Sequence, residues 1–338
     1  MFSADYGTSS NYSSSGENVL EDACSFLSAE LRQLFTTGEV TRARYLLNFT
    51  FQDPIVKVSS LEAFVNNLRL LRTVFNIDFV LHSCRVSGPT EVVTRWTMRL
   101  QQKLLPWRPA LVFTGRSCYT VESASGRLAT QTDVWDAIKD NSYLSVEGVA
   151  HVLRQATNPQ TTPGLDQPAY EVLRRAGDYE VRRYEPYVVA EVSMPASAAP
   201  ASGTGFNELA GYIFGGNAGR QKMEMTTPVI TTAGQPGAAM RFPMERKLGT
   251  NAALLPTPND LRVITRMEEG GVFASASFSG FPLDFEVVEA ERRLRGALLL
   301  DGLQPLEGYA LARYNDPFTL PLFRRNEVLI ALKDFELE

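Results

Sequence analysis

Gly205-Phe206-Asn207-Glu208-Leu209-Ala210-Gly211-Tyr212-Ile213-Phe214-Gly215-Gly216, followed closely by Lys222-Met223-Glu224-Met225-Thr226-Thr227-Pro228-Val229, decides how the second half of this chain is read. Phe206, Leu209, Ile213 and Phe214 recur at helical spacing. Ser202 or Thr204 can cap the start, and the Gly215-Gly216 pair supplies a left-handed stop. A short helix with one apolar face is expected. Residues 222–227 then alternate until Pro228, which has no ladder donor and so marks a strand end or edge.

Working outward, the unit occurs twice. Residues 187–194 place Val188, Ala190, Val192 and Met194 on one face before the helix. Residues 272–278 do the same with Val272, Ala274, Ala276 and Phe278. A helix over 284–298 and a strand-like run over 309–317 complete the second copy. Two copies of strands plus one helix predict an α+β domain, a β-rich core with two helices packed on it.

Four blocks in this half carry a resemblance. They are Tyr170-Glu171-Val172-Leu173, 178–184 ending Val181-Arg182-Arg183-Tyr184, 222–229, and Tyr314-Asn315-Asp316-Pro317-Phe318 with Arg324-Arg325-Asn326-Glu327-Val328. In this order they resemble the SOUL/haem-binding protein family over 169–337. The resemblance implies a distorted β-barrel of two pseudo-symmetric repeats and an apolar groove that holds haem or another porphyrin between the first helix and the loop before the last strand.

The N-terminal half reads separately. Val19, Leu20, Ala23, Phe26, Leu27, Leu31, Leu34 and Phe35 form a helical stripe, and 61–75 a second helix. Four strand-like runs follow at 77–85, 91–100, 111–121 and 128–135, with Pro106-Trp107-Arg108-Pro109 as a break. This order, with Phe51-Gln52-Asp53-Pro54, Thr94-Arg95-Trp96-Thr97-Met98 and Trp135-Asp136-Ala137-Ile138, resembles the cone-shaped nuclear-transport-factor-2-like superfamily. It looks closest to a plant and algal branch fused ahead of SOUL domains. That architecture implies a chloroplast protein, with the cytoplasm as the alternative, although 1–16 has neither a signal peptide's apolar core nor an Arg-rich transit composition. The expected division is a disordered tail over 1–17, the cone-like domain over 18–155, a Pro-rich linker over 156–168 and the SOUL-like domain over 169–338.

Charge and cysteine content narrow the function. The net charge is −5 with no block of like charge, which argues against nucleic-acid binding. No apolar run is long enough for a membrane span. Three dispersed cysteines, Cys24, Cys84 and Cys118, read as packed thiols, not as a disulfide or metal framework.

Both histidines, His82 and His151, precede the SOUL-like region, which also lacks cysteine. Iron ligation there falls to Met223, Met225, Tyr212 or Tyr314, for which core packing is the plainer role, and no metal site is expected. The implied groove is lined by Phe206, Leu209, Tyr212, Ile213 and Phe214 from the helix and by Phe318, Leu320 and Leu322 from the loop. Arg220, Lys222, Arg324 and Arg325 flank it as partners for ligand carboxylates.

The expected function is a non-catalytic tetrapyrrole carrier or buffer. One alternative is an interaction module that docks a protein partner or a lipid-body or thylakoid surface. Another is small-molecule binding or catalysis in the N-terminal cone, around Tyr45, Asp53, His82 and Trp96. Neither half contains a GxGxxG, Walker, GxSxG or HExxH motif.

Overall fold

The computed structural model describes residues 11–104, 108–195, 203, 205–233 and 237–337. They form two compact units. One is built on residues up to Asn158 with Arg174–Gly177, the other on Pro159–Leu173 and Asp178–Leu337.

In the first unit, α1 (Asn11–Thr37) buries the expected stripe, with Leu20, Ala23, Leu27, Leu31 and Leu34 inward. The helix takes up residues 11–17 of the expected tail, and residues 1–10 lie outside the described residues. β1 (Tyr45–Gln52) and β2 (Lys57–Val58) pair across the Asp53-Pro54 turn. α2 (Leu61–Val74) starts where Ser60 Oγ accepts from the Ala63 amide (3.2 Å), and it buries Leu61, Phe64, Val65 and Leu68.

The meander is β3 (Phe75–Val86), β4 (Glu91–Gln102), β5 (Ala110–Val121) and β6 (Leu128–Trp135). Sheet order is β2-β1-β6-β5-β4-β3, with β1 parallel to β6. α3 (Val146–Ala156) follows. The expected break at Pro106-Trp107 lies outside the described residues.

Cys24 on α1 and Cys84 on β3 form a disulfide, with Cα atoms 5.8 Å apart. This corrects the expectation of three packed thiols, which holds for Cys118. A helix laid on a strand brings together positions 60 residues apart in sequence, a proximity that Cys spacing does not encode.

The second sheet comprises β7 (Tyr170–Arg175), β8 (Glu180–Tyr184), β9 (Tyr187–Ser193), β10 (Val229–Ala233), β11 (Ala239–Pro243), β12 (Val263–Glu268), β13 (Gly271–Phe278), β14 (Gln304–Pro305), β15 (Tyr309–Arg313) and β16 (Asn326–Lys333). Its order is β12-β9-β11-β10-β15-β16-β13-β8-β7, with β14 on β16. The sets β9-β11-β10 and β13-β16-β15 mirror each other across the antiparallel β10–β15 pair. Each copy carries one helix: α4 (Phe206–Ile213) packs on β9, β11 and β12, and α5 (Asp284–Leu300) on β13, β14 and β16. The twofold repeat and the curled α+β architecture expected from sequence are present.

Two details of the repeat differ. Residues 222–227 form no strand beyond an isolated bridge from Thr226 to Asp166, and β10 begins after Pro228. Proline is tolerated at a strand's first position, where the missing N–H breaks no ladder bond, so it opens this strand and does not close it. Gly205, with φ of +90°, stands at the N-cap of α4, whereas Ser202 and Thr204 lie outside the described residues. The glycine stop is as read. Gly215 has φ of +107°, and a Cβ on Gly216 would lie 2.6 Å from the Gly211 carbonyl oxygen.

Candidate functional sites

Two of the motif blocks of the C-terminal half, 178–184 and 314–318 with 324–328, meet in one buried polar cluster. Arg182 on β8 donates from Nη1 and Nη2 to Glu327 on β16, at 2.8 and 2.9 Å. Arg325 Nη2 donates to the same carboxylate (2.6 Å), as does Tyr314 Oη (2.7 Å). The two guanidiniums hold the fully buried Glu327 carboxyl well below the usual carboxylate range, against the opposing effect of desolvation. Arg325 is thereby committed to Glu327 and to the Tyr314 ring, 4.1 Å beneath its guanidinium carbon.

The helix residues of the expected groove divide by face. Leu209, Tyr212 and Ile213 are buried among Val188, Val192, Met240 and Phe242. Tyr212 Oη donates to the Pro256 carbonyl (2.7 Å), and burial pushes the phenol up to about 12. Met223 and Met225 are half-buried against the same cluster. Phe206, 38% exposed, stacks edge-on against Phe242, and Phe214 is 59% exposed. Arg220 and Lys222 lie on the surface.

The loop residues sit differently. Asp316 Oδ1 accepts from the amides of Phe318 and Thr319 (2.7 and 3.1 Å). Arg324 donates to the carbonyls of Thr319 and Pro317 and lies over the Phe281 ring, 4.3 Å from its centre. So fixed, the loop presents Phe318 (93% exposed), Leu320 and Leu322 outward, beside the exposed Phe281. Arg324 is the loop's clamp.

Two cavities lie apart from the expected groove. One, of about 280 Å³, lies on the face of the curled sheet away from Val188 and Val192, lined by Tyr170, Tyr184, Tyr187, Phe273, Tyr309 and Tyr314 with Arg241 and Glu268. The other, of about 270 Å³, occupies the N-terminal unit. Neither is lined by any of the twelve groove residues.

Of the four cone residues singled out from sequence, Asp53 and Trp96 line the N-terminal cavity and Tyr45 and His82 do not. His82 Nε2 instead meets Thr97 Oγ1 at 2.8 Å. His151 on α3 is buried beside Gln155 Nε2 (2.9 Å), and desolvation lowers its imidazole to about 4. Sequence reasoning passed over Ser117, Gln131 and Asp133, which supply the cavity's polar wall. Their signal was the alternation of β6, which puts Gln131, Asp133 and Trp135 on one face.

Of the iron ligands named from sequence, Met223 and Met225 pack half-buried against the α4 cluster. Tyr212 and Tyr314 spend their hydroxyls on Pro256 and Glu327. Among the described residues, no group of three His, Cys, Asp or Glu could hold a metal ion, and no helix is long and apolar enough to cross a membrane.

Residues 165–331 match the model of the SOUL heme-binding protein family, and residues 21–128 match that of an uncharacterized conserved protein family (DUF2358). No curated protein matches the chain. Similar solved structures include a SnoaL-like polyketide cyclase from Shewanella denitrificans (16% identity, 35% of this chain and 90% of that one, TM-score 0.28). Another such cyclase, from Jannaschia sp., has 12% identity over 40% and 91% with a TM-score of 0.31. An LEH-like epoxide hydrolase from Mycobacterium tuberculosis has 16% identity over 42% and 92% with a TM-score of 0.28. The C-terminal half of this chain, with its mirrored repeats and its Arg182–Glu327 cluster, belongs to the SOUL haem-binding protein family.

Proposed function

We propose that the C-terminal domain binds haem or another porphyrin reversibly, as a carrier or buffer. The observation that carries this reading is the SOUL family match over 165–331. The 280 Å³ cavity sits at the lower edge of the roughly 300–1,000 Å³ usual for small-ligand pockets and is small for a four-ring macrocycle. The ring lies on the surface, against Phe318, Leu320 and Leu322, with Arg324 as the cation beside them.

Magnitudes set the affinity. About 300 Å² of apolar ligand surface covered at ~25 cal/mol per Å² yields roughly 7 kcal/mol. Association costs of several kcal/mol come off that gain, so binding is micromolar or weaker. With no iron ligand, haemin and iron-free protoporphyrin bind the full-length protein within about threefold of each other. Absorbance titration checks this, and a six-coordinate haemin spectrum with much tighter haemin binding would falsify it.

The exposed Phe318, Leu320 and Leu322 also favour a second reading, in which they dock a protein or a lipid surface. Protein purified from its own source distinguishes the two. A visible absorbance band supports the tetrapyrrole, and co-purification of a partner or lipid with no such band supports docking. The chloroplast is proposed on the two-domain resemblance alone, and imaging of the tagged full-length protein tests it.

A further inference from the structure

In the N-terminal unit, α1, α2 and α3 close a cavity of about 270 Å³ against β4, β5 and β6. Its wall is mostly apolar, and the centre of its polar part is Asp133. Trp96 Nε1 donates to Ser117 Oγ (2.8 Å), so the single Ser117 proton points to Asp133 Oδ1 (2.6 Å). Gln131 Nε2 donates to the same oxygen (2.9 Å). Both donors thus go to Oδ1, which leaves Oδ2 without a donor among the described residues, on a carboxyl that lines the cavity.

We propose that this cavity binds a small, uncharged, largely apolar molecule with one acceptor oxygen, such as a ketone, aldehyde or lactone, which hydrogen-bonds to the Asp133 carboxyl. Three features select that class. Two carboxyls, Asp53 and Asp133, line the cavity with no Lys, Arg or His among the described lining residues, so an anion is rejected. The volume excludes a macrocycle. Desolvation, with a further push from Asp53, holds the Asp133 carboxyl up at about 7, so that it carries a proton to donate.

The titratable groups facing Asp133 are Asp53 at the end of β1 and Tyr119 on β5. α1, α2 and α3 present apolar side chains and Asn67 to the cavity. Asp53 is itself raised by burial and accepts from the Ile55 and Val56 amides.

The test is titration of the full-length protein with acetylnaphthalene, read by quenching of tryptophan emission, which includes Trp96 and Trp135 in the cavity wall. Saturable quenching is expected near pH 6, at least about tenfold weaker near pH 8.5, where Asp133 has lost its proton. Naphthoate and naphthylmethylamine bind at least about tenfold more weakly than the ketone near pH 6. Asp133→Asn, whose amide still donates, keeps ketone binding and loses its pH dependence, while Asp133→Leu weakens it about tenfold. Absence of saturable ketone binding near pH 6, an amine that binds as well as the ketone, or ketone binding unchanged in a folded Asp133→Leu protein would each overturn the assignment.

Discussion

Asp133 and Glu327 are both fully buried carboxyls, and their surroundings push them in opposite directions. Asp133, with neutral donors alone, is raised from 3.8 to about 7. Between those values the unfolded chain releases this proton while the folded chain keeps it, so stability falls as pH rises from about 4 to about 7. Asp133→Asn removes that loss. Urea unfolding should show the variant more stable than the parent above neutral pH, on the order of 2–4 kcal/mol, with a smaller difference near pH 4. Glu327, paired with Arg182 and Arg325, is lowered, so its contribution is present above the ordinary carboxylate range and is lost only as pH falls through the depressed value. Glu327→Gln leaves two guanidiniums without their counter-charge and is expected to cost roughly 3–5 kcal/mol in the same measurement. Arg182, Tyr314, Arg325 and Glu327 were visible in sequence within the family-like blocks, but their meeting was not, because 145 positions separate Arg182 from Glu327.

At the scale of elements, hydrophobic period located the first two helices and the four-strand meander of the N-terminal half, but not β1 or β2. Strand runs at 91–100 and 128–135 became β4 (Glu91–Gln102) and β6 (Leu128–Trp135) because alternation against a buried face leaves little freedom of register. The Cys24–Cys84 bridge was illegible for the reason that made the elements legible: local pattern says nothing about which helix lies on which strand. Since the bridge closes a loop of 60 residues, Cys24→Ser is expected to lower stability by roughly 2–4 kcal/mol, and a reducing agent should do the same to the parent in thermal unfolding. The loop at 316–323 is rigid through Asp316 and Arg324 yet exposes its apolar side chains. Phe318→Asp should therefore weaken porphyrin binding about tenfold and leave the thermal midpoint unchanged, because the native side chain contacts little of its own domain.

Over the whole molecule, two units with separate cores predict two unfolding transitions. Porphyrin raises the midpoint of the SOUL unit and leaves the other in place, because a ligand stabilises the cooperative unit that binds it. Scanning calorimetry with and without protoporphyrin checks this, and a shift of both transitions would place the ligand elsewhere. By itself the sequence determined the two-part organisation, the family of the second part, the mirrored repeat and the inward face of β9, since periodicity and motif order are local properties of the chain. Tertiary structure alone decided that Leu209, Tyr212 and Ile213 belong to the core, that Arg325 is held by Glu327, and that Asp133 faces a cavity. Each of those depends on which distant surfaces meet and on how much water they exclude, and no window of sequence contains that information.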